Sequence, residues 1–453
     1  MMKKKNTLFG FLMTIFLIGE MVLVNHTLLF LFLHSFLLIA ILGFQFNLIK
    51  QHKNGIGVFL YSLINLVILL LSWSLNHFNL FICSQLLSFL LALFFIIKSL
   101  VETRAHSFFS KLLKVLSVFI VLVSTTTFFI FFLLQSSSKP VDFLMKKATG
   151  ITNSYQPVEK QEVKKYQKAF TQIRNIEYGS EFPNSFLDIY LTNTQTSKPT
   201  YIYLHGGGFL TGDKEAFDPL ASKKDDIYFS TLLNAGYNVV SINYGLTPEQ
   251  KFPTQIEQIS QAITFLKSST KEYNLNTQSF VLAGSSAGGL IIGQFSLVQT
   301  NDKYAHNVNI APVLNASEIS AVVFDSPLLD ISRISEIQTP DILTEFLFKQ
   351  AGKSYLTKNN EIFLRNSNPE IHAGNIIANL TKNFPPTFVA DGNMSTFPDQ
   401  ATELSEKLTT LGVQNELFLA TNDNVVHGFM ASSSKATKIY NFKKLAFLEK
   451  LTD

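Results

Sequence analysis

Hydrophobic and polar residues are distributed in two different ways along this chain. Up to about residue 135, long apolar runs alternate with short polar connections, whereas beyond it short apolar runs alternate with amphipathic segments. The long runs cover residues 7–24, 27–49, 56–75, 80–97 and 113–134. Each has about twenty residues, enough to cross the hydrocarbon core of a bilayer as a helix. The pattern predicts an all-α membrane domain of five transmembrane helices in residues 1–135.

The basic residues of this first part lie in alternate connections. They precede the first run and follow the second and fourth runs, as Lys3, Lys4, Lys5, Lys50, Lys53, Lys98, Arg104, Lys111 and Lys114. The other two connections, near Asn25 and Asn76, contain none. Because short cytoplasmic loops are enriched in Lys and Arg, the chain is expected to start inside the cell and, after five crossings, to continue outside it. We therefore expect a multi-pass cell-membrane protein, with the lipid bilayer as a partner and the C-terminal domain outside the cytoplasm.

A polar connector, residues 136–175, follows the last run. It contains a Ser-rich break at 136–138 and a charged stretch at 159–168 that is rich in Lys and Glu. We interpret the charged stretch as a helix, and two roles for it stay open: a cap over an active site, and a plain solvated helix.

Residues 176–453 alternate between β-type runs and helical patterns. The β-type runs include 187–191, 201–204, 239–244, 279–282, 321–324, 386–390 and 416–419. This alternation is typical of an α/β domain, a mostly parallel sheet with helices on both faces. Its longest interruption, 328–381, is rich in aromatic residues and is interpreted as a lid or pocket wall.

The segment Gly284-Ser285-Ser286-Ala287-Gly288 joins a β-type run to a helical pattern. A strand, a sharp turn and a helix in this order form a nucleophile elbow, in which flanking glycines leave room for a strained turn that lifts the central serine. The pattern predicts a nucleophilic Ser286.

Two further segments, one before Ser286 in the chain and one after it, lie in the order expected for an enzyme that catalyses acyl transfer. His205-Gly206-Gly207-Gly208 follows a β-type run, and a glycine run there exposes backbone N–H groups that can bind an oxyanion. His427 lies in a predicted loop near the C-terminus, after Ser286 in chain order as in the α/β-hydrolases.

From about Phe186 to Phe429 the chain resembles the hormone-sensitive-lipase-like esterases of the α/β-hydrolase superfamily. The resemblance rests on the following segments: Leu187 to Leu191, the His205 glycine run with Gly212-Asp213-Lys214, Val239 to Tyr244 with Pro248-Glu249 and Phe252-Pro253, Gly284 to Gly289, and His427-Gly428-Phe429. It implies an α/β-hydrolase fold, Ser286 as nucleophile, His427 as general base, and an oxyanion hole formed by the N–H groups of Gly207, Gly208 and Ala287.

The chain differs from this family at the position of the acid that should orient the histidine. The loop that usually holds it offers Asn393 or Ser395, and neither is a carboxylate. Asp325, at the end of an apolar run between Ser286 and His427, is therefore the expected acid. Other carboxylates stay open. Asp330 is interpreted as structural, Asp399 as a helix N-terminal residue that complements the dipole, and Asp391 as lying closer to its strand end than the acid normally does.

Composition limits the other functions. The single cysteine, Cys83, lies within the fourth apolar run, and the histidines after residue 135 include no pair four residues apart. We therefore expect no metal and no cofactor. The net charge of +4 on 453 residues gives no reason to expect a nucleic-acid partner.

The residues together predict a membrane-anchored, extracytoplasmic serine esterase that hydrolyses a carboxylic ester through an acyl-enzyme. Two alternatives stay open: an acyltransferase or deacetylase acting on envelope glycan or lipid, and a catalytically inactive, hydrolase-like binding domain.

Overall fold

The structure is a computed structural model that describes most of the chain from Ser138 onward. The described ranges are 138–150, 162–166, 170–193, 196–215, 229–334, 336–337, 342–356, 369–421 and 424–451, with isolated positions before 138. The chain divides into two units, Met1–Ser137 and Ser138–Asp453. Nearly all of the five runs predicted to span the membrane fall outside the described residues. Within the described residues, no helix has both the length and the apolarity needed to cross a bilayer.

A nine-stranded sheet runs through the second unit. Its strands are β1 (Glu162–Tyr166), β2 (Phe170–Glu177), β3 (Phe186–Thr192), β4 (Thr200–Leu204), β5 (Val239–Ile242), β6 (Phe280–Ser285), β7 (Ile319–Asp325), β8 (Thr387–Asp391) and β9 (Asn415–Leu419). Their order in the sheet is β1-β2-β3-β5-β4-β6-β7-β8-β9. The pairs from β5 through β9 are parallel, and β1, β2 and β3 are antiparallel additions at one edge. The predicted mostly parallel α/β sheet is confirmed.

Helices cover both faces of this sheet. They are α1 (Lys139–Thr149), α2 (Ser230–Asn234), α3 (Thr254–Ser268), α4 (Thr270–Tyr273), α5 (Ala287–Thr300), α6 (Asp302–Val308), α7 (Ile342–Tyr355), α8 (Pro369–Ala373), α9 (Ile376–Asn379), α10 (Pro398–Thr410) and α11 (Lys435–Glu449). Apolar residues of α3, α5 and α10 form one buried cluster with alternate strand residues such as Leu282 and Val322. Residues of α2 and α11 form a second cluster with the strand residues in between, such as Val281 and Val323. The alternation of side chains along each strand thus supplies a core on each face.

The connector and the aromatic-rich interruption at 328–381 differ from their expected structures in some details. The charged stretch 159–168 is not a helix where it is described: its residues 162–166 form β1, whose backbone pairs antiparallel with β2. The helix of the connector lies earlier, as α1, with Pro140 in its first turn and Gly150 ending it in the left-handed conformation. The aromatic-rich interruption at 328–381 contains α7, α8 and α9.

Candidate active site

Ser286 lies on the sharp turn between β6 and α5. Its φ of 53° and ψ of −118° are strained for a residue with a side chain. The turn is possible because a Cβ on Gly284 would come within 2.3 Å of the Gly288 carbonyl oxygen, and one on Gly288 within 2.4 Å of the Leu204 oxygen. The backbones of the turn and of β4 therefore approach more closely than any side chain would permit.

The turn and a loop after β9 bring Ser286 and His427 together. The Ser286 Oγ lies 2.8 Å from the His427 Nε2. The His427 N–H donates to the carbonyl of Met394, and the Gly428 N–H donates to the Ser326 hydroxyl. These bonds hold the histidine loop against the loops after β7 and β8, so the imidazole is fixed beside the serine.

The other imidazole nitrogen contacts a hydroxyl. The His427 Nδ1 lies 2.9 Å from the Thr396 Oγ1, and the same oxygen lies 2.6 Å from the Asp391 Oδ1. Asp391 also accepts the N–H groups of Gly392 and Phe397. A threonine hydroxyl and a carboxylate therefore stand where a carboxylate alone was expected.

Asp325, the expected acid, is not brought to His427. Its Oδ1 accepts the hydroxyl of Tyr440 on α11 at 2.6 Å, and its charge acts on the buried ammonium of Lys444. The physical reason is the strand alternation: Asp325 shares a face of β7 with Val323, which belongs to the cluster under α11. The expected contact between Asp325 and His427 is therefore absent from the described residues. The histidine instead contacts Thr396, which contacts Asp391.

The remaining candidate acids have other partners. Asp330 accepts bonds from Ser332 and Asn375 and caps a short 3₁₀ turn. Asp399 lies in the first turn of α10 and pairs with Arg333. The Asn393 side chain accepts the Val425 N–H, which ties the loop after β8 to the histidine loop. Ser395 has a φ of 53°.

The glycine run after β4 forms a tight loop beside the serine. Gly207, Gly208 and Phe209 all have positive φ, and the Gly207 carbonyl accepts the N–H groups of Leu210 and Thr211. Among the described residues we find no hydrogen-bond acceptor for the N–H groups of Gly207, Gly208 or Ala287. The Ala287 N–H is also at the first position of α5, where the helix leaves its N–H groups without intrahelical partners.

Buried polar residues hold this loop in place. The His205 ring stacks on Tyr244 with a centroid distance of 4.3 Å, and burial lowers the pKa of His205 to about 4. At the other end, the fully buried Lys214 Nζ lies 3.0 Å from the Asp188 Oδ1. The Lys214 N–H donates to the Asn243 side chain. His205 is therefore a neutral structural residue, and the ion pair fixes the end of the loop.

Helix α7 covers the site. Phe348 packs edge-on against the His427 ring at 5.4 Å, and Tyr355 stacks on Phe209 at 4.1 Å. A Cβ on Gly208 would lie 3.3 Å from the Cβ of Ala351. The segment interpreted as a lid or pocket wall thus contributes a helix that contacts both the histidine and the glycine loop.

Burial shifts the pKa values of the two titratable groups in opposite directions. Desolvation lowers the pKa of His427 to about 4. Desolvation also raises the pKa of Asp391 to about 6, although its hydrogen bonds, from Thr396 first, act to lower it. At neutral pH the histidine is therefore an uncharged base and Asp391 is mostly ionised.

Thr396 was missed by sequence reasoning, and Asp391 was noted only as lying close to its strand end. The available signal is weak: a carboxylate that ends a strand and a threonine five residues later in a loop. Only the folded loop shows that the hydroxyl reaches both the carboxylate and the histidine.

The chain is similar to one protein family and to several known proteins. Residues 187–408 match the BD-FAE family model. A protein of Acanthamoeba polyphaga mimivirus named as an α/β hydrolase is 22% identical over 248 residues, covering 53% of this chain and 65% of the relative. An acetyl esterase of Salmonella paratyphi B is 29% identical over 119 residues, covering 26% of this chain and 34% of the relative. The chain thus spans less than two thirds of either relative.

Solved structures of esterases are similar to this chain in fold. Inhibited esterase B from Lactobacillus rhamnosis superposes with a TM-score of 0.50 at 17% identity, covering 70% of this chain and 95% of that one. Together with the sheet order and the elbow, this likeness defines the class: the second unit has the α/β-hydrolase fold.

Proposed function

We propose that this chain is a carboxylic ester hydrolase that acts through an acyl-enzyme on Ser286. The observation that carries the proposal is the 2.8 Å contact between the Ser286 Oγ and the His427 Nε2, beside backbone N–H groups with no acceptor among the described residues. The resemblance of the matched segment to esterases, and the acetyl esterase among the relatives, support the reaction class.

The reaction follows from this geometry. The Ser286 Oγ attacks the ester carbonyl carbon while its proton moves to the His427 Nε2. The negative charge that forms on the carbonyl oxygen is stabilised by the N–H groups of Gly207, Gly208 and Ala287. The tetrahedral intermediate expels the alcohol, which takes the proton from Nε2. Water then attacks the acyl carbon while its proton moves to the His427 Nε2. The bond from that carbon to the Ser286 Oγ breaks, the Oγ takes the proton back from Nε2, and the acid is released.

Replacing Ser286 with alanine tests the nucleophile. The change removes one hydroxyl and leaves the glycines of the turn, so ester hydrolysis and fluorophosphonate labelling should both be lost while the thermal midpoint changes little. Ser296→Ala is the matched control, since Ser296 is a buried serine on α5, the helix that follows Ser286, and its hydroxyl donates to the Ile292 carbonyl. Wild-type hydrolysis and labelling in Ser286→Ala would exclude the proposal, and a wild-type chain that never reacts with the probe would favour the inactive binding domain.

The preferred acyl group is small. The support is the position of α7, since its Ala351 lies close to Gly208 and its Phe348 contacts His427. We expect kcat/KM to be highest for acetyl and propionyl esters and to fall for chains of eight carbons or more. Phe348→Ala should raise kcat/KM for long-chain esters relative to kcat/KM for acetyl esters. If kcat/KM depended on acyl-chain length in this variant as it does in the wild type, Phe348 would not be the residue that restricts long acyl chains.

The site faces away from the cytoplasm in a protein anchored by its N-terminal apolar runs. The support is the number and length of the runs and the distribution of Lys and Arg between them. A protease added to intact cells should release a fragment that contains Ser286. Protection of that fragment until the membrane is permeabilised would reverse the proposed orientation.

A further inference from the structure

The Thr396 hydroxyl lies between a buried carboxylate and the histidine. We infer that Asp391 and Thr396 together replace the missing acid, with Asp391 acting on His427 through the Thr396 hydroxyl. The inference rests on the proposed serine-hydrolase function. Its geometric basis is the pair of contacts that share the Thr396 Oγ1, 2.6 Å to the Asp391 Oδ1 and 2.9 Å to the His427 Nδ1.

The hydrogen-bond directions in this chain of groups are determined by their chemistry. A hydroxyl has one proton to donate, and an ionised carboxylate can only accept. Thr396 therefore donates to Asp391, and its oxygen accepts the Nδ1 proton of His427. With the proton on Nδ1, the Nε2 is free to accept the Ser286 proton. The carboxylate thus selects the tautomer that a general base requires.

No proton leaves Thr396 or reaches Asp391 during the reaction. The Ser286 proton moves to the His427 Nε2, the Nδ1 proton stays on Nδ1, and the positive charge on the imidazolium is balanced by the carboxylate beyond the hydroxyl. Because that carboxylate is one hydroxyl farther away than in a direct pair, its Coulomb stabilisation is weaker, roughly half as large. Asp391 and Thr396 are positioning residues in this arrangement.

The loop that carries the two groups is held rigidly. Asp391 and Thr396 are fully buried, and the carboxylate also accepts the N–H groups of Gly392 at 2.8 Å and Phe397 at 3.0 Å. The carbonyl of Val425 accepts the N–H groups of Asn393 and Met394 from the same loop. The hydroxyl, the carboxylate and the histidine therefore keep one geometry. The indirect contact of Asp391 with His427 through the Thr396 hydroxyl, which we call the relay, requires this fixed geometry.

Thr396→Val tests the relay because it removes the hydroxyl and keeps the branched shape. We expect kcat to fall by about 10²–10³-fold, less than the roughly 10⁴-fold expected for loss of a direct acid, with KM changed by less than about threefold. Thr396→Ser keeps the hydroxyl and should stay within about fivefold of wild type. Asp391→Asn should lose as much as Thr396→Val. Combining the two should add little, because the groups act in series.

Thr387→Val is the matched control. Thr387 is a fully buried threonine on β8 whose hydroxyl donates to the Pro385 carbonyl, away from the histidine, so kcat should remain near wild type. Assays use the full chain in detergent with an acetyl ester, and turnover is normalised to the folded fraction by thermal unfolding.

The results separate this inference from the proposed function. If Thr396→Val or Asp391→Asn keeps kcat within about threefold of wild type while Ser286→Ala is inactive, the relay is wrong and the hydrolase stands. Equal losses in Thr396→Ser and Thr396→Val would also overturn it, since the hydroxyl would then not be what matters. Activity in Ser286→Ala would instead remove the proposed function itself.

Discussion

The oxyanion loop can be tested with two neighbouring glycines that differ in the space around them. Gly207 has a φ of 104°, and a Cβ there would lie 2.2 Å from the Thr211 carbonyl oxygen and 2.6 Å from its carbon. That contact is with backbone, so no side-chain rotation can relieve it. Gly208 has a φ of 60°, in the left-handed region, and a Cβ there would meet only the Ala351 Cβ at 3.3 Å.

These distances give different expected losses for alanine. At Gly208, left-handed alanine costs about 1–2 kcal/mol, and α7 must yield by only a few tenths of an ångström. The variant should fold, with a modestly lower thermal midpoint and kcat within about tenfold of wild type. At Gly207 the loop must open, which moves the N–H groups that would bind the oxyanion. Loss of one such donor typically lowers kcat by about 10²–10³-fold, and we expect at least this loss.

The assay is kcat on an acetyl ester, with the folded active fraction counted by the burst of the acyl-enzyme. Counting active sites separates misfolding of part of the sample from a slower reaction in the rest. If Gly207→Ala turned over within about threefold of wild type per active site, the loop would not hold the oxyanion. If Gly208→Ala were as damaged as Gly207→Ala, the difference in backbone contacts would not explain the outcome.

Three further predictions concern charged groups. Lys214→Met should lower the free energy of unfolding by up to about 3–5 kcal/mol because it removes the closer of two cations from the buried Asp188 carboxylate, the Lys214 Nζ at 3.0 Å, and leaves the Arg174 Nε at 3.8 Å; adding Asp188→Asn should recover part of that loss, chemical denaturation measures both, and additive losses would contradict the pairing. Asp391, whose pKa burial raises to about 6, must be ionised to orient the histidine, and His427, whose pKa burial lowers to about 4, must be neutral to act as a base. We therefore expect kcat/KM to decline as pH falls through about 6 and to be lost toward pH 4; a loss centred above pH 7 would refute this. Asp325→Asn should change kcat by less than about tenfold, since the Asp325 carboxylate contacts Tyr440 rather than the histidine; a larger loss at unchanged stability would restore it as the acid.

Much of the site could be predicted from the sequence because its chemistry is local. The strained turn at Ser286 requires glycines at fixed offsets, and the close approach of Gly288 to the β4 carbonyls shows why. The glycine run after β4 is informative for the same reason. The strands follow from apolar runs because the central strands β4 and β6 are buried along their whole length. The charged residues of β1 carry no such signal, so a helix was expected where an edge strand forms.

The acid could not be predicted because it depends on which face of the sheet a strand end presents. Asp325 pairs in register with Ala390, the residue before Asp391, on adjacent parallel strands. Side chains alternate between faces, so Asp325 shares the face of Ala390, under α11, while Asp391 shares the opposite face with Val389. His427 packs against Phe397, which belongs to the same cluster as Val389.

This alternation alone determines which of the two carboxylates lies on the histidine side of the sheet. Asp325 meets a tyrosine and a lysine on its own face, whereas Asp391 lies on the side of the histidine but at the end of its strand. From that position its carboxylate contacts Thr396 rather than the imidazole, and the loop after β8 places Thr396, five residues later, between the carboxylate and the histidine. We infer that a carboxylate too far back for direct contact still acts through a hydroxyl here, because the hydroxyl is buried and its loop is tied to the histidine loop by hydrogen bonds from Asn393 and Met394 to the Val425 carbonyl.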